Sequence, residues 1–125
     1  MNTPGSAAAA YKAAKIENAP PLKLVQLMYE GALRFLAQAE HAHAAGDGAR
    51  FQERCLRTVA IVAELSAALD PSQAPELATN LASLYGFAEE RIREAMRAET
   101  PAPLAPAKDV LTTLLDGWKG LEIAT

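Results

Sequence analysis

The chain has 125 residues, half of them apolar and 22% charged, with a formal net charge of -3. That is the size and composition of one globular domain with one core, without the charge that draws a protein to nucleic acid or to an anionic membrane. The lone cysteine, Cys55, excludes an internal disulfide and fits a reducing compartment. No apolar run approaches the roughly 18 residues of a membrane span. The opening MNTPGSAAAAYKAAK lacks the basic start and apolar block of a secretory signal, so a cytoplasmic protein is expected.

Residues 1–20 read as an arm. Pro4-Gly5-Ser6 opens it, Ala7 to Ala14 suffice for a turn or two of helix, and Tyr11 and Ile16 are its only large apolar anchors. So short a helix is unstable alone in water, and the arm is expected to be mobile, able to dock and detach. Pro20-Pro21 breaks the chain and starts the first helix, since the missing proline N–H would have no partner at the first helical position anyway. The helical pattern runs over 21–45, and Gly46-Asp47-Gly48 ends it.

A second helix over 49–69 repeats Cys55, Leu56, Val59, Val62, Leu65 and Leu69 at spacings of three and four. Asp70-Pro71-Ser72 stops it. A third, over 74–99, starts at Ala74-Pro75 and sets Leu77, Leu81, Leu84, Tyr85, Ala88, Ile92 and Ala95 on one side. Thr100-Pro101-Ala102-Pro103, with Pro106 beyond, makes a stiff connection. A fourth helix over 104–123 carries Val110, Leu111, Leu114, Leu115, Trp118 and Leu121 on one arc. No stretch alternates with the period of a strand. Long helices joined by short connections pack as antiparallel neighbours. The predicted fold is all-α, an antiparallel up-down four-helix bundle over 21–125 with a mobile N-terminal arm.

Chemistry finds little to work with. Glu40 and His43 form one Glu-x-x-His pair, but a di-metal bundle site needs a second pair and two more glutamates, and His41 and His43, two apart, point to different sides of the helix. Solvated histidines are expected, with no metal and no cofactor. Cys55 has no partner thiol and reads as core. No nucleophile motif or phosphate loop occurs. Glu30/Arg34, Glu53/Arg57 and Glu89/Arg93 are helix-surface ion pairs. The chain reads as a non-enzyme.

What stands out is LVQLMYEGALRFL, residues 24–36. At about 100° per residue, Leu24, Phe35, Met28, Ala32, Val25, Leu36, Tyr29 and Leu33 cover about 180° of the helix, against about 100° for an ordinary surface helix. Leu27 falls on the far side, beside a stripe of Lys23, Gln26, Glu30, Arg34 and Gln38. Part of the excess serves two bundle neighbours and the arm. The rest suits a groove for a partner helix or extended peptide, to which Tyr29 and Tyr85 would bring a ring for contact and a hydroxyl that tolerates water.

The same residues carry a family resemblance. Ala10-Tyr11-Lys12, Ile16-Glu17, then Pro21 and the helix with MYEGALRF at its centre resemble the FliS family of flagellar export chaperones. Ala78-Thr79-Asn80-Leu81, Leu84-Tyr85 and Phe87 in the third helix match too, as do Val110-Leu111, Leu114 and Trp118 in the fourth. The chain departs from the family pattern at Pro20 and Lys23, where a capping box is usual, and at Ala8, Glu30, Leu115 and Gly117. The resemblance implies a cytosolic chaperone that binds the disordered C-terminal region of flagellin, prevents premature polymerisation and delivers the subunit to the export gate protein FlhA. It implies a client surface, placed here at Leu24, Met28, Tyr29, Leu33, Tyr85 and Trp118. Tyr11 and Ile16 would serve in the arm, which caps the client site and docks on the gate. It also makes Gly31 a point of close helix approach. A monomer or weak homodimer is expected, with no nucleic-acid partner and no membrane insertion. The alternative is a generic helical-bundle adaptor for an amphipathic partner helix.

Overall fold

The computed structural model describes the backbone of residues 22–124 and the side chains through Gly120. The expected arm, with Tyr11 and Ile16, lies outside the described residues, as does the side chain of Leu121. Four helices follow one another: α1 (Leu22–Ala44), α2 (Gly48–Ala67), α3 (Pro75–Ala98) and α4 (Leu104–Ala124). Among the described residues there is no strand.

The punctuation has physical causes. Gly46 takes φ 78°, the left-handed turn that lets the chain leave α1. Asp47 then caps α2, its side-chain oxygen accepting the Arg50 N–H at 3.0 Å. After α2, the Asp70 carboxylate accepts the Ser72 N–H at 3.0 Å and its hydroxyl at 2.7 Å, an Asx turn that redirects the chain. Pro75 opens α3, and Glu76 complements the helix dipole in its first turn. Glu99 ends α3 in the left-handed region, φ 55° and ψ 42°, at a cost of roughly 1–2 kcal/mol for a residue with a Cβ.

Each helix packs chiefly on its two neighbours, in the cyclic order α1–α2–α3–α4–α1. Cross-links show the directions. Gln26 near the start of α1 meets Trp118 near the end of α4, Glu40 near the end of α1 meets Lys108 near the start of α4, and Gln52 of α2 meets Met96 of α3. Neighbours therefore run antiparallel and diagonal helices parallel, the predicted up-down bundle. The core interleaves large side chains (Tyr29, Leu36, Phe51, Leu65, Tyr85, Ile92, Leu104, Leu111) with Ala32, Ala39, Ala88, Ala95 and Ala107, whose small size lets the helices approach.

Three expectations are corrected. Leu56, counted with the α2 core, is 54% exposed, because it sits about 100° round the helix from Cys55. Gln26, counted with the polar stripe, is buried against α4. Glu30 reaches across to Lys119 of α4 at 3.8 Å rather than along its own helix to Arg34, whereas Glu53/Arg57 and Glu89/Arg93 form as expected.

Gly31 is a further correction. It is buried, but a Cβ built there would lie 3.7 Å from Ile61 Cδ1 and 3.7 Å from Arg34 Nη2, ordinary contacts with side chains rather than a backbone approach. The α1–α2 packing therefore does not require glycine. Gly31→Ala is expected to stabilise the bundle by up to about 1 kcal/mol through helix propensity. Urea denaturation reads the difference, and a loss of stability would show that the two helices are closer than their side chains indicate.

Candidate functional site

The centre of the molecule is an aromatic layer. Tyr29 of α1 and Tyr85 of α3, from diagonal corners, join their hydroxyls in a buried hydrogen bond, with ring centroids 6.3 Å apart. Trp118 of α4 stands against Tyr29, with centroids 6.5 Å apart. All three are buried. A buried hydroxyl without a partner would be costly, and the tyrosines meet that need mutually.

The flanks of α1 differ. Gly31 faces Ile61, while Gln38 accepts from Arg54 Nη1 at 3.1 Å and Phe35 lies under the Arg54 guanidinium at 5.3 Å. This is the α2 side. Gln26, Glu30 and Glu40 meet Trp118, Lys119 and Lys108; this is the α4 side. Helical spacing places Leu24 and Met28 on the α2 flank and Leu33 on the α4 flank. The expected client residues thus occupy three places. Leu24 is 45% exposed, Met28 and Leu33 are half-buried on either margin, and Tyr29, Tyr85 and Trp118 lie inside. In this conformation the three aromatic residues offer no face to a partner. Their burial is that of packed core residues.

The exposed large apolar side chains lie elsewhere: Leu24 and Leu27 on α1, Leu56 on α2, and Leu84 and Phe87 on α3. Turning about the α3 axis in the sense that α1 defines puts Leu84 and Phe87 on the flank toward α4. Leu114, on the facing flank of α4, is partly buried against the core. The Arg91 guanidinium stacks 5.7 Å from the Phe87 ring. No side-chain hydrogen bond or ion pair crosses the α3–α4 seam among the described residues. The charges of α3 pair within the helix instead (Arg93–Glu89, Arg97–Glu90, Arg91–Glu94), and the other three seams each carry a polar tie. Among the described residues the α3–α4 seam shows apolar packing, edged by exposed Leu84 and Phe87. Phe87 entered the sequence reading only as part of a motif. It lies off the three-four rhythm of the core, and that departure was the available signal for a surface role.

Nothing among the described residues gathers into a metal site. Glu40 pairs with Lys108 at 2.9 Å, and His43 bonds the Glu99 carbonyl through Nε2 at 3.2 Å while standing edge-on to Phe51. A cleft of about 480 Å³ opens beside this contact, with Phe51, Gln52 and Glu99 in its wall. No helix among the described residues is long and apolar enough to cross a membrane.

The fold is a four-helix bundle whose α3–α4 edge leaves Leu84 and Phe87 exposed. Comparison with known proteins is specific. A profile of the family described as "Flagellar protein FliS" matches residues 4–125. The flagellar secretion chaperone FliSB of Pseudomonas aeruginosa is 31% identical over 111 residues, covering 86% of each chain. The flagellar secretion chaperone FliS of Bacillus subtilis is 26% identical over 110 residues, 88% of this chain and 81% of its own. That of Salmonella typhimurium is 26% identical over 105 residues, 83% and 78% respectively. The chain belongs to the FliS family of flagellar secretion chaperones, and it is not an enzyme.

Cys55, the lone thiol of the chain, is open to question by chemical modification. Burial pushes its thiol from the ordinary 9.0 up to about 11. The folded thiol therefore stays protonated where the unfolded one ionises, so its contribution to stability is intact below pH 9 and falls as pH rises from about 9 toward 11. At about pH 8, iodoacetamide is expected to modify the native protein at least about tenfold more slowly than the urea-unfolded chain. Equal rates would mean that the core around Cys55 opens freely.

Proposed function

We propose that this chain is a flagellin-specific export chaperone, working in the cytoplasm. It captures the disordered C-terminal region of flagellin, keeps the subunit from polymerising, and brings it to the export gate protein FlhA. The observation that carries this reading is the α3–α4 seam in a chain of the FliS family. It offers an apolar strip, exposed at Leu84 and Phe87 and continued by Leu77 and Leu114, with no side-chain polar bond across it among the described residues. An amphipathic segment that becomes helical on such a strip buries apolar surface on both partners. Ordering the segment offsets much of that gain, which suits a chaperone that must release its client.

In this proposal Leu24, Met28 and Leu33 extend the client surface along the margins of α1. Tyr29, Tyr85 and Trp118 support it from below, as the packed layer that keeps the bundle in shape. Tyr11 and Ile16, in the arm, cover the client site in the free protein and serve gate docking. The protein acts as a monomer or weak homodimer.

Titration calorimetry and circular dichroism with the C-terminal segment of the same organism's flagellin test the central claim. Heat and a gain of helix at roughly tens of micromolar are expected, with binding weakened at least about tenfold by Leu84→Ser together with Phe87→Ser. No binding by the unaltered protein would remove flagellin as the client and leave the generic adaptor. Binding unaffected by the double substitution would move the client off the α3–α4 seam.

A separate measurement addresses the arm. Removing residues 1–16 is expected to leave a folded bundle that binds a hydrophobic dye more strongly than the whole chain. Unchanged dye fluorescence would show that the arm is not a cover.

A further inference from the structure

We infer that Gln26 is a positioning residue: its buried amide sets the register of α4 against α1 and thereby shapes the α3–α4 seam on α4's opposite flank. Among the described residues the polar ties of α4 to the other helices all run to α1. Two are ion pairs near the surface, Lys108–Glu40 at 2.9 Å and Lys119–Glu30 at 3.8 Å, with every side chain at least one-third exposed. Such pairs are screened by water and hold geometry weakly. The third is different. Gln26 is 2% exposed, and its Nε2 donates to the Trp118 carbonyl at 3.2 Å.

Three physical points give that bond its role. An amide buried without a partner is costly, so register slips of α4 that take the Trp118 carbonyl away are disfavoured. A slip of one residue turns the face of α4 by about 100° and does so. On the opposite flank of α4, which carries Leu114, no side-chain ion pair to α3 occurs among the described residues to resist such a turn. Finally, α4 continues to Ala124, so the Trp118 carbonyl also lies within reach of the backbone N–H one turn on, and a carbonyl oxygen accepts two bonds. Removing the Gln26 amide therefore orphans no acceptor. A leucine there keeps the volume and the burial, and stability is preserved or raised. What disappears is the directional contact.

The test is Gln26→Leu in the full chain, with Glu30→Gln as its surface control, read by thermal melting and by hydrogen exchange of the segment covering 112–124. The expected result is a melting temperature at or above that of the unaltered protein, exchange in that segment about tenfold faster for Gln26→Leu, and none of that change for Glu30→Gln. Exchange unchanged in Gln26→Leu would overturn the inference, and so would a large drop in melting temperature, which would make Gln26 a stabilising residue instead. The functional consequence rests on the flagellin reading above: Gln26→Leu should bind the flagellin segment about five- to tenfold more weakly, the scale of one hydrogen bond. If the unaltered protein binds no flagellin, that reading fails, while the exchange experiment still decides the register. If it binds and Gln26→Leu binds equally well, Gln26 does not shape the seam.

Discussion

The bundle depends on an interior that is not purely oily. Two tyrosine hydroxyls from diagonal helices bond each other there, and a buried hydroxyl left alone is costly. Their bond sets how far apart α1 and α3 stand at that level, and Trp118 fills the space beside them. Around this layer the alanines of α1, α3 and α4 let backbones approach where no large side chain is needed. The aromatic residues thus belong to the packed interior rather than to the surface.

The four seams divide the labour. Arg54 closes the α1–α2 seam by bonding Gln38 and covering Phe35. Gln52 reaches the Met96 carbonyl across α2–α3. Two ion pairs and one buried amide tie α1 to α4. Between α3 and α4 the described residues provide packing alone, and there leucine and phenylalanine remain partly uncovered. An apolar edge without cross-bonds can accept a client helix without first giving up polar contacts. The chain belongs to the FliS family, and the relatives it resembles are flagellar secretion chaperones.

Much of this was legible in the residues. Spacings of three and four, Pro75 at the head of α3 and Gly46-Asp47 between α1 and α2 all act through local backbone chemistry, which does not wait for tertiary contacts. They led to four helices, an antiparallel bundle and, through MYEGALRF, the family. The placement of the candidate surface was less legible. Tyr29, Tyr85 and Trp118 have the composition of a binding face and the position of a core, and a helical wheel cannot distinguish the two when a helix has two neighbours.

By itself, then, the sequence determined the helices, the topology and the family, because each is written in local spacing or in contiguous motif. Only the tertiary structure decided which apolar residues face inward and which stay exposed. It turned Gln26 from a surface residue into a buried tie, sent Glu30 to Lys119, and left Leu84 and Phe87 at the edge of an apolar seam. The reason is geometric: a side chain's angle on its own helix is set by sequence, but what it meets depends on where the neighbouring axes lie. Those positions come from packing all four helices at once.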